Sequence, residues 1–130
     1  MDKKSLGNLG ESAVERYLTE HGCFIVEKNY HATQGYRDEI DLVACDGSCI
    51  LFVEVKTRRE SANKPADFSA PFAVTAQKKK RIIRCARLFL LNHSSYACYQ
   101  PRFDVACVSA QGETITKLEY YPNAFSAEEA

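Results

Sequence analysis

Two alternating, β-branched-rich runs, residues 38–46 and 49–57, meet at Asp46-Gly47-Ser48, and that junction limits the fold of this chain more than any other feature. So short a set of turn residues between two such runs predicts a β-hairpin. If the loop is the pair Gly47-Ser48, with glycine first as in a II′ turn, cross-strand partners have positions summing to 95 and Asp41 falls opposite Glu54. A four-residue loop over 46–49 gives the same register, whereas a three-residue loop sets Asp41 against Val53 and sends the acids to opposite faces. Side chains alternate along a strand. Glu54 and Lys56 therefore share a face with Ile50 and Phe52, while Val53 and Val55 take the other. On the preceding strand Asp41 joins Glu39 and Val43, and Ile40 joins Leu42.

Carboxylates directly across a ladder have Cβ atoms about 5 Å apart and repel unless positive charge lies between them. A hard divalent cation meets that requirement: Mg²⁺ favours carboxylate and carbonyl oxygens and keeps several waters, leaving positions for a phosphate oxygen and an attacking water. On this reading Asp41 and Glu54 hold Mg²⁺ (or Mn²⁺), and Lys56 stabilises the scissile phosphate or orients the water. The competing reading makes Glu54 and Lys56 decoration on a solvent-facing sheet, with Glu39 opposite Lys56 as an ordinary ion pair. Ile50 and Phe52 weigh against it, because they mark the face as covered and a covered acid needs a partner.

Before the hairpin, Leu6, Leu9, Ala13, Tyr17 and Leu18 recur at helical steps and predict a helix over 5–20, capped by Ser5 and stopped at His21-Gly22. Gly7 and Gly10 within it suggest that another backbone or a ligand comes close. Residues 23–29 read as a strand with Phe24 and Val26 on one side and Ile25 on the other. Residues 58–71 are polar, contain Asn63, Pro65 and Pro71, and predict a surface loop. A second helix follows over 72–92, with Ile82, Ile83, Ala86, Phe89 and Leu90 as its apolar stripe. Residues 102–110 and 114–121 then read as strands joined through Gln111-Gly112-Glu113. Helix, three strands, loop, helix and two strands predict an α/β fold with a mixed sheet. Residues 1–123 are expected to form one domain and 124–130 a frayed tail.

The 130 residues carry a formal net charge of zero, which excludes a global positive field and leaves any nucleic-acid binding to local clusters. Two exist: Lys78, Lys79, Lys80, Arg81, Arg84 and Arg87 crowd one segment, and Lys56, Arg58 and Arg59 another. The six cysteines form no C-x-x-C pair and no zinc-finger spacing, so they are expected to be reduced thiols acting as small hydrophobes. No run approaches the roughly eighteen apolar residues of a membrane span, and the first residues lack an apolar signal core. A cytoplasmic protein with no membrane partner is expected.

Gly7, Gly10-Glu11, Glu39-Ile40-Asp41-Leu42, the run Phe52-Val53-Glu54-Val55-Lys56-Thr57-Arg58, then Val74, Lys78, Arg81 and Ala86, and last Arg102-Phe103-Asp104-Val105 follow in that order along nearly the whole chain. In these blocks the chain resembles the YraN-like family of bacterial nuclease-fold proteins, which is similar to archaeal Holliday-junction resolvases and falls in the PD-(D/E)-x-K superfamily. The resemblance implies a restriction-endonuclease-like mixed β-sheet flanked by helices, with Glu11, Asp41, Glu54 and Lys56 as the site. Glu11 enters on this ground alone, since periodicity leaves it at the margin of the apolar stripe. Where the family has glycine before Glu39, this chain has Asp38, which adds a negative charge near the strand entrance. DNA is the implied partner, with Lys78, Arg81 and Arg58 at its phosphates. Glu39, Arg102 and Asp104 take supporting roles, and Arg102 and Asp104 share a strand face on which they can pair with each other.

The implied activity is that of a Mg²⁺-dependent endodeoxyribonuclease acting on branched or damaged DNA. Symmetric cutting of a junction would call for a homodimer. The alternatives are a non-catalytic nucleic-acid-binding or interaction module that retains the nuclease fold, and a zinc or redox protein built on the cysteines.

Overall fold

The computed structural model describes residues 2–32, 39–60 and 74–129. Helix α1 (Lys3–Glu20) leads into β1 (Phe24–His31), β2 (Glu39–Cys45) and β3 (Cys49–Arg59); helix α2 (Ala76–Asn92) then precedes β4 (Gln100–Gln111) and β5 (Thr114–Phe125). The strands form one sheet in chain order. All neighbours are antiparallel except β3 and β4. Parallel neighbours need a crossover, and α2 lies in it. The result is the expected α/β class, a mixed sheet with a helix on each face.

Period-two alternation decides which helix each strand residue meets. Val14 and Leu18 of α1 pack on Leu42, Ala44, Leu51, Val53, Ala106 and Val108. Ile82, Ile83, Ala86 and Phe89 of α2 pack on Val43, Ile50, Phe52, Phe103 and Val105. The hairpin takes the two-residue loop: Cys45 pairs with Ile50 and Leu42 with Val53, the register whose positions sum to 95. Gly47 supplies the positive φ of 100° that the turn needs, and Asp46 Oδ1 accepts from the backbone N–H of Ser48 and Cys49 at 3.1 and 2.7 Å.

Several boundaries differ from expectation. Asp2, not Ser5, caps α1, its Oδ1 accepting the Ser5 N–H at 2.8 Å, so the helix starts earlier. Thr75 caps α2 by accepting the Lys78 N–H at 3.1 Å, which places the helix start at Ala76 instead of 72. Arg58 and Arg59, expected in the loop, continue β3. Residues 61–71 of the expected loop, Phe72 and Asp38 lie outside the described residues. The tail expected to fray from 124 does not do so there: β5 runs through Phe125, which is buried and stacks on Phe103 at 5.2 Å, and a 3₁₀ turn follows over Ala127–Glu129. A single aromatic ring filling the end of the α2-side core outweighs the polar residues around it.

The two early glycines differ as well. A Cβ on Gly10 would collide with the Thr57 side chain, so glycine lets α1 seat directly on β3, whereas a Cβ on Gly7 would meet nothing within 4 Å among the described residues. Among the described residues no two cysteines are bonded, and Cys45, Cys85 and Cys107 are buried. Among the described residues no helix is long and apolar enough to cross a membrane.

Candidate functional site

Alternation fails in β1 between Lys28 and Tyr30, and the acids gather there. Lys28 faces α1, where its Nζ lies 3.2 Å from Glu15, yet Tyr30, two residues on, meets Phe89 of α2 edge-on at 5.1 Å. Between them Asn29 takes φ 50°, the left-handed conformation that asparagine tolerates better than most residues. The partner strand rolls with it. Leu42 belongs to the α1-side core and Ile40 to the α2-side core, so the two do not share a face as strict alternation predicts. The β1–β2 register steps from Lys28 and Leu42 to Tyr30 and Ile40, leaving Asn29 and Asp41 at the roll itself.

On its other side Asp41 lies just beyond the last paired position of β2 and β3, Leu42 with Val53. There Asp41 Oδ2 accepts the Val55 N–H at 2.8 Å, so a side chain takes over from the backbone ladder. Glu54 is next to this contact and buried, as Ile50 and Phe52 on its face predict. Glu54 is the side chain that acts most strongly on Asp41, through its charge and a side-chain hydrogen bond that both raise the Asp41 pKa. The Asp41 pKa rises from 3.8 to about 8, first through burial, then through the Glu54 charge and that hydrogen bond; the Val55 N–H and the Lys78 charge oppose the rise.

Glu11, on α1, completes the acidic cluster. Its pKa is raised from 4.5 to about 7 by burial and then by the Asp41 charge, against a hydrogen bond from the Asn29 side chain. It lines a groove of about 170 Å³ with Asn8, Ser12, Glu15, Lys28 and Asn29. The ammonium that meets the acids is that of Lys78, the third residue of α2, with Nζ 3.5 Å from Glu54 Oε2. Lys56 is half-buried further along β3 and acts on Cys107, whose thiol burial pushes up to about 11 against the pull of Lys56 and Arg58.

Helix α1, strands β2 and β3 and helix α2 thus bring Glu11, Asp41, Glu54 and Lys78 together, with Lys56 two residues beyond Glu54. Lys78, read from the sequence as a phosphate contact, instead meets a carboxylate. Asn29 was not singled out at all, and its only sequence signal is an asparagine inside a strand pattern. Arg81 and Arg58 are exposed. Glu39 sits 4.0 Å from His31 and not against Lys56. Arg102 and Asp104 stand apart from the acids and pair with each other: Arg102 Nε and Nη2 reach Asp104 at 3.0 and 2.9 Å, and Arg102 Nη1 lies 3.6 Å from Asp46. Asp104, fully buried, also accepts from Tyr120 Oη at 2.5 Å and the Asn123 N–H at 2.8 Å. Four donors on one carboxylate make a staple between β4 and β5.

The donor chemistry at the roll fits a hard divalent cation. Two carboxyls from neighbouring strands converge at a covered point, offer only oxygen, and repel each other without added positive charge. Among the described residues no group of three or more His, Cys, Asp or Glu is arranged to hold a metal.

A model of the Uncharacterised protein family UPF0102 matches residues 10–108. The UPF0102 protein of Ectopseudomonas mendocina is 37% identical over 122 residues, which span 94% of this chain and 95% of that one. That of Alkaliphilus metalliredigens is 41% identical over 123 residues, 94% and 98% of the two chains. Among solved structures, Hjc of Archaeoglobus fulgidus, a Holliday junction resolvase, superposes with a TM-score of 0.52 over 86% of this chain and 72% of its own, at 19% identity. That likeness is one of fold.

Proposed function

The chain belongs to the Uncharacterised protein family UPF0102, and on that premise we propose that it is a divalent-metal-dependent endonuclease hydrolysing DNA phosphodiester bonds, with branched or damaged DNA as substrate. The observation that carries this reading is the placement of two acids on adjacent strands at a covered point, Asp41 tied to the Val55 N–H at 2.8 Å and Glu54 buried beside it. A sheet stabilised for its own sake gains nothing from two acids placed so. The shared fold with a Holliday junction resolvase supports branched DNA as the substrate class.

Mg²⁺ or Mn²⁺ held by Asp41 and Glu54 would polarise a phosphate oxygen and acidify an attacking water. The chain's own groups do the rest. The Val55 N–H fixes the Asp41 carboxyl by committing one of its oxygens to the backbone. Glu11, held near 7, is tuned to take a proton from the water at neutral pH. Lys56, on the same strand as Glu54, offers an ammonium to the scissile phosphate as charge builds on it. Arg81 and Arg58, both exposed, contact neighbouring phosphates, which rewards local basic residues on a chain of zero net charge.

The test is cleavage of labelled four-way junctions and linear duplexes in Mg²⁺ and Mn²⁺. Glu54→Ala and Lys56→Ala should each abolish metal-dependent cutting while circular dichroism shows the fold retained. Robust cleavage by both variants would end the proposal.

A further inference from the structure

The E-x-K run already supplies an ammonium at Lys56, yet the cation that meets the acid pair comes from another element. Lys78 Nζ stands 3.5 Å from Glu54 Oε2, with the lysine side chain 40% exposed and the glutamate 6%. The acid is fixed and the ammonium is at the rim, on a flexible stem with water beside it. Its root is anchored, because the Lys78 N–H is held by the Thr75 cap at 3.1 Å in the first turn of α2. Glu54 also lies beside Asp41, whose carboxyl the Val55 N–H holds at 2.8 Å, so an ion held by the two carboxyls would compete with the Lys78 ammonium for the same side chain. Two cations cannot share that carboxylate without like-charge repulsion, and only the lysine has somewhere to go.

Resting on the metal-dependent reading above, we propose that Lys78 is a built-in counter-ion of Glu54 which a divalent cation displaces, and that the released ammonium then engages a substrate phosphate. Without the ion, Lys78 neutralises the acids and is withheld from DNA. With it, the same ammonium joins Lys80 and Arg81 on the exposed side of α2. Metal binding and DNA binding then reinforce each other through one side chain, a reciprocal coupling of two ligands.

The experiment measures Mn²⁺ affinity without DNA, from the electron paramagnetic resonance signal of the free ion, for the wild type, Lys78→Gln, Lys78→Arg and Lys80→Gln. Lys78→Gln should bind Mn²⁺ about tenfold more tightly, corresponding to roughly 1.4 kcal/mol of relieved competition. Lys80→Gln removes the same charge from the same helix and should stay within about twofold of wild type. Lys78→Arg, whose guanidinium grips a carboxylate better, should bind a few-fold more weakly, which tests the idea even if the glutamine variant does not fold. Anisotropy of a fluorescent duplex, read in the first seconds after mixing in EDTA and in Mn²⁺, should show that metal strengthens DNA binding of the wild type, with most of that gain lost in Lys78→Gln. Equal Mn²⁺ affinities for wild type and both Lys78 variants would overturn the displacement and leave the metal-dependent reading standing. An unchanged DNA gain in Lys78→Gln would overturn the delivery to phosphate. Failure of every protein to bind Mn²⁺ would remove both the inference and the reading beneath it.

Discussion

Replacing Asp41 by asparagine should stabilise the metal-free protein, by an amount that grows with pH. The Asp41 carboxyl titrates in the folded chain at about 8 instead of 3.8, chiefly because it is buried and next because Glu54 faces it. A carboxyl with a raised folded-state pKa contributes stability that is fully present below its unfolded pKa and is lost as pH climbs through the folded one. Between those limits the unfolded chain has released a proton that the folded chain keeps, so each pH unit costs the fold about 1.4 kcal/mol. Over the whole interval the ceiling is on the order of 5 kcal/mol, and screening by rim water and by Lys78 reduces the expected gain at pH 8 to about 2 to 3 kcal/mol. Asparagine keeps the shape and the oxygen that accepts the Val55 N–H, so the comparison isolates the charge. Urea denaturation in EDTA across the range from pH 5 to 8 should show the two proteins converging at the acid end and separating toward the alkaline end. In saturating Mg²⁺ the order should reverse, because an ion that binds only the folded wild type stabilises only the wild type. A difference that does not vary with pH, or an Asp41→Asn protein less stable than wild type at pH 8 in EDTA, would refute the reasoning.

Gly10→Ala drives a methyl into Thr57 and should cost about 1 to 3 kcal/mol in urea melts, most of it recovered in the double variant with Thr57→Ala. Gly7→Ala, with open space around it, should gain up to about 1 kcal/mol in the same melts. Tyr120→Phe removes one donor from the buried Asp104 and should cost about 1 to 3 kcal/mol, while Arg102→Ala strands that carboxylate and should cost about 3 to 5. Phe125→Ala should lose about 3 to 5 kcal/mol, a result a frayed tail could not give.

The hairpin register was legible because a two-residue loop and a period of two leave only one parity that buries Ile50 and Phe52, and Glu54 is carried with them. The Arg102 and Asp104 pair was legible for the same reason, as neighbours on one strand face, although Tyr120 and Asn123 reach that carboxylate from a strand whose placement is tertiary. The roll at Asn29 was not legible. Alternation is a local rule, and nothing in Lys28-Asn29-Tyr30 says that one residue will turn left-handed to send its neighbours to opposite helices. The ion pair of Lys78 with Glu54 joins residues 24 positions apart on different elements, and an α2 lysine carries no mark telling a solvent contact from an acid contact. Glu11 could be named only through resemblance, since its importance comes from where α1 rests on the sheet, which Gly10 and Thr57 decide.

The parallel pairing of β3 with β4 sets an order of events. Glu54 lies beside Val105, and the segment between them contributes Lys78, so the acid-bearing strand stays unmatched along one edge until β4 has been synthesised. A nascent chain emerging amino-end first can form the hairpin early, but it cannot close the pocket around it. Whatever chemistry the paired acids perform therefore begins only after β4 exists, and a product terminated before β4 would carry the reactive residues without the means to use them.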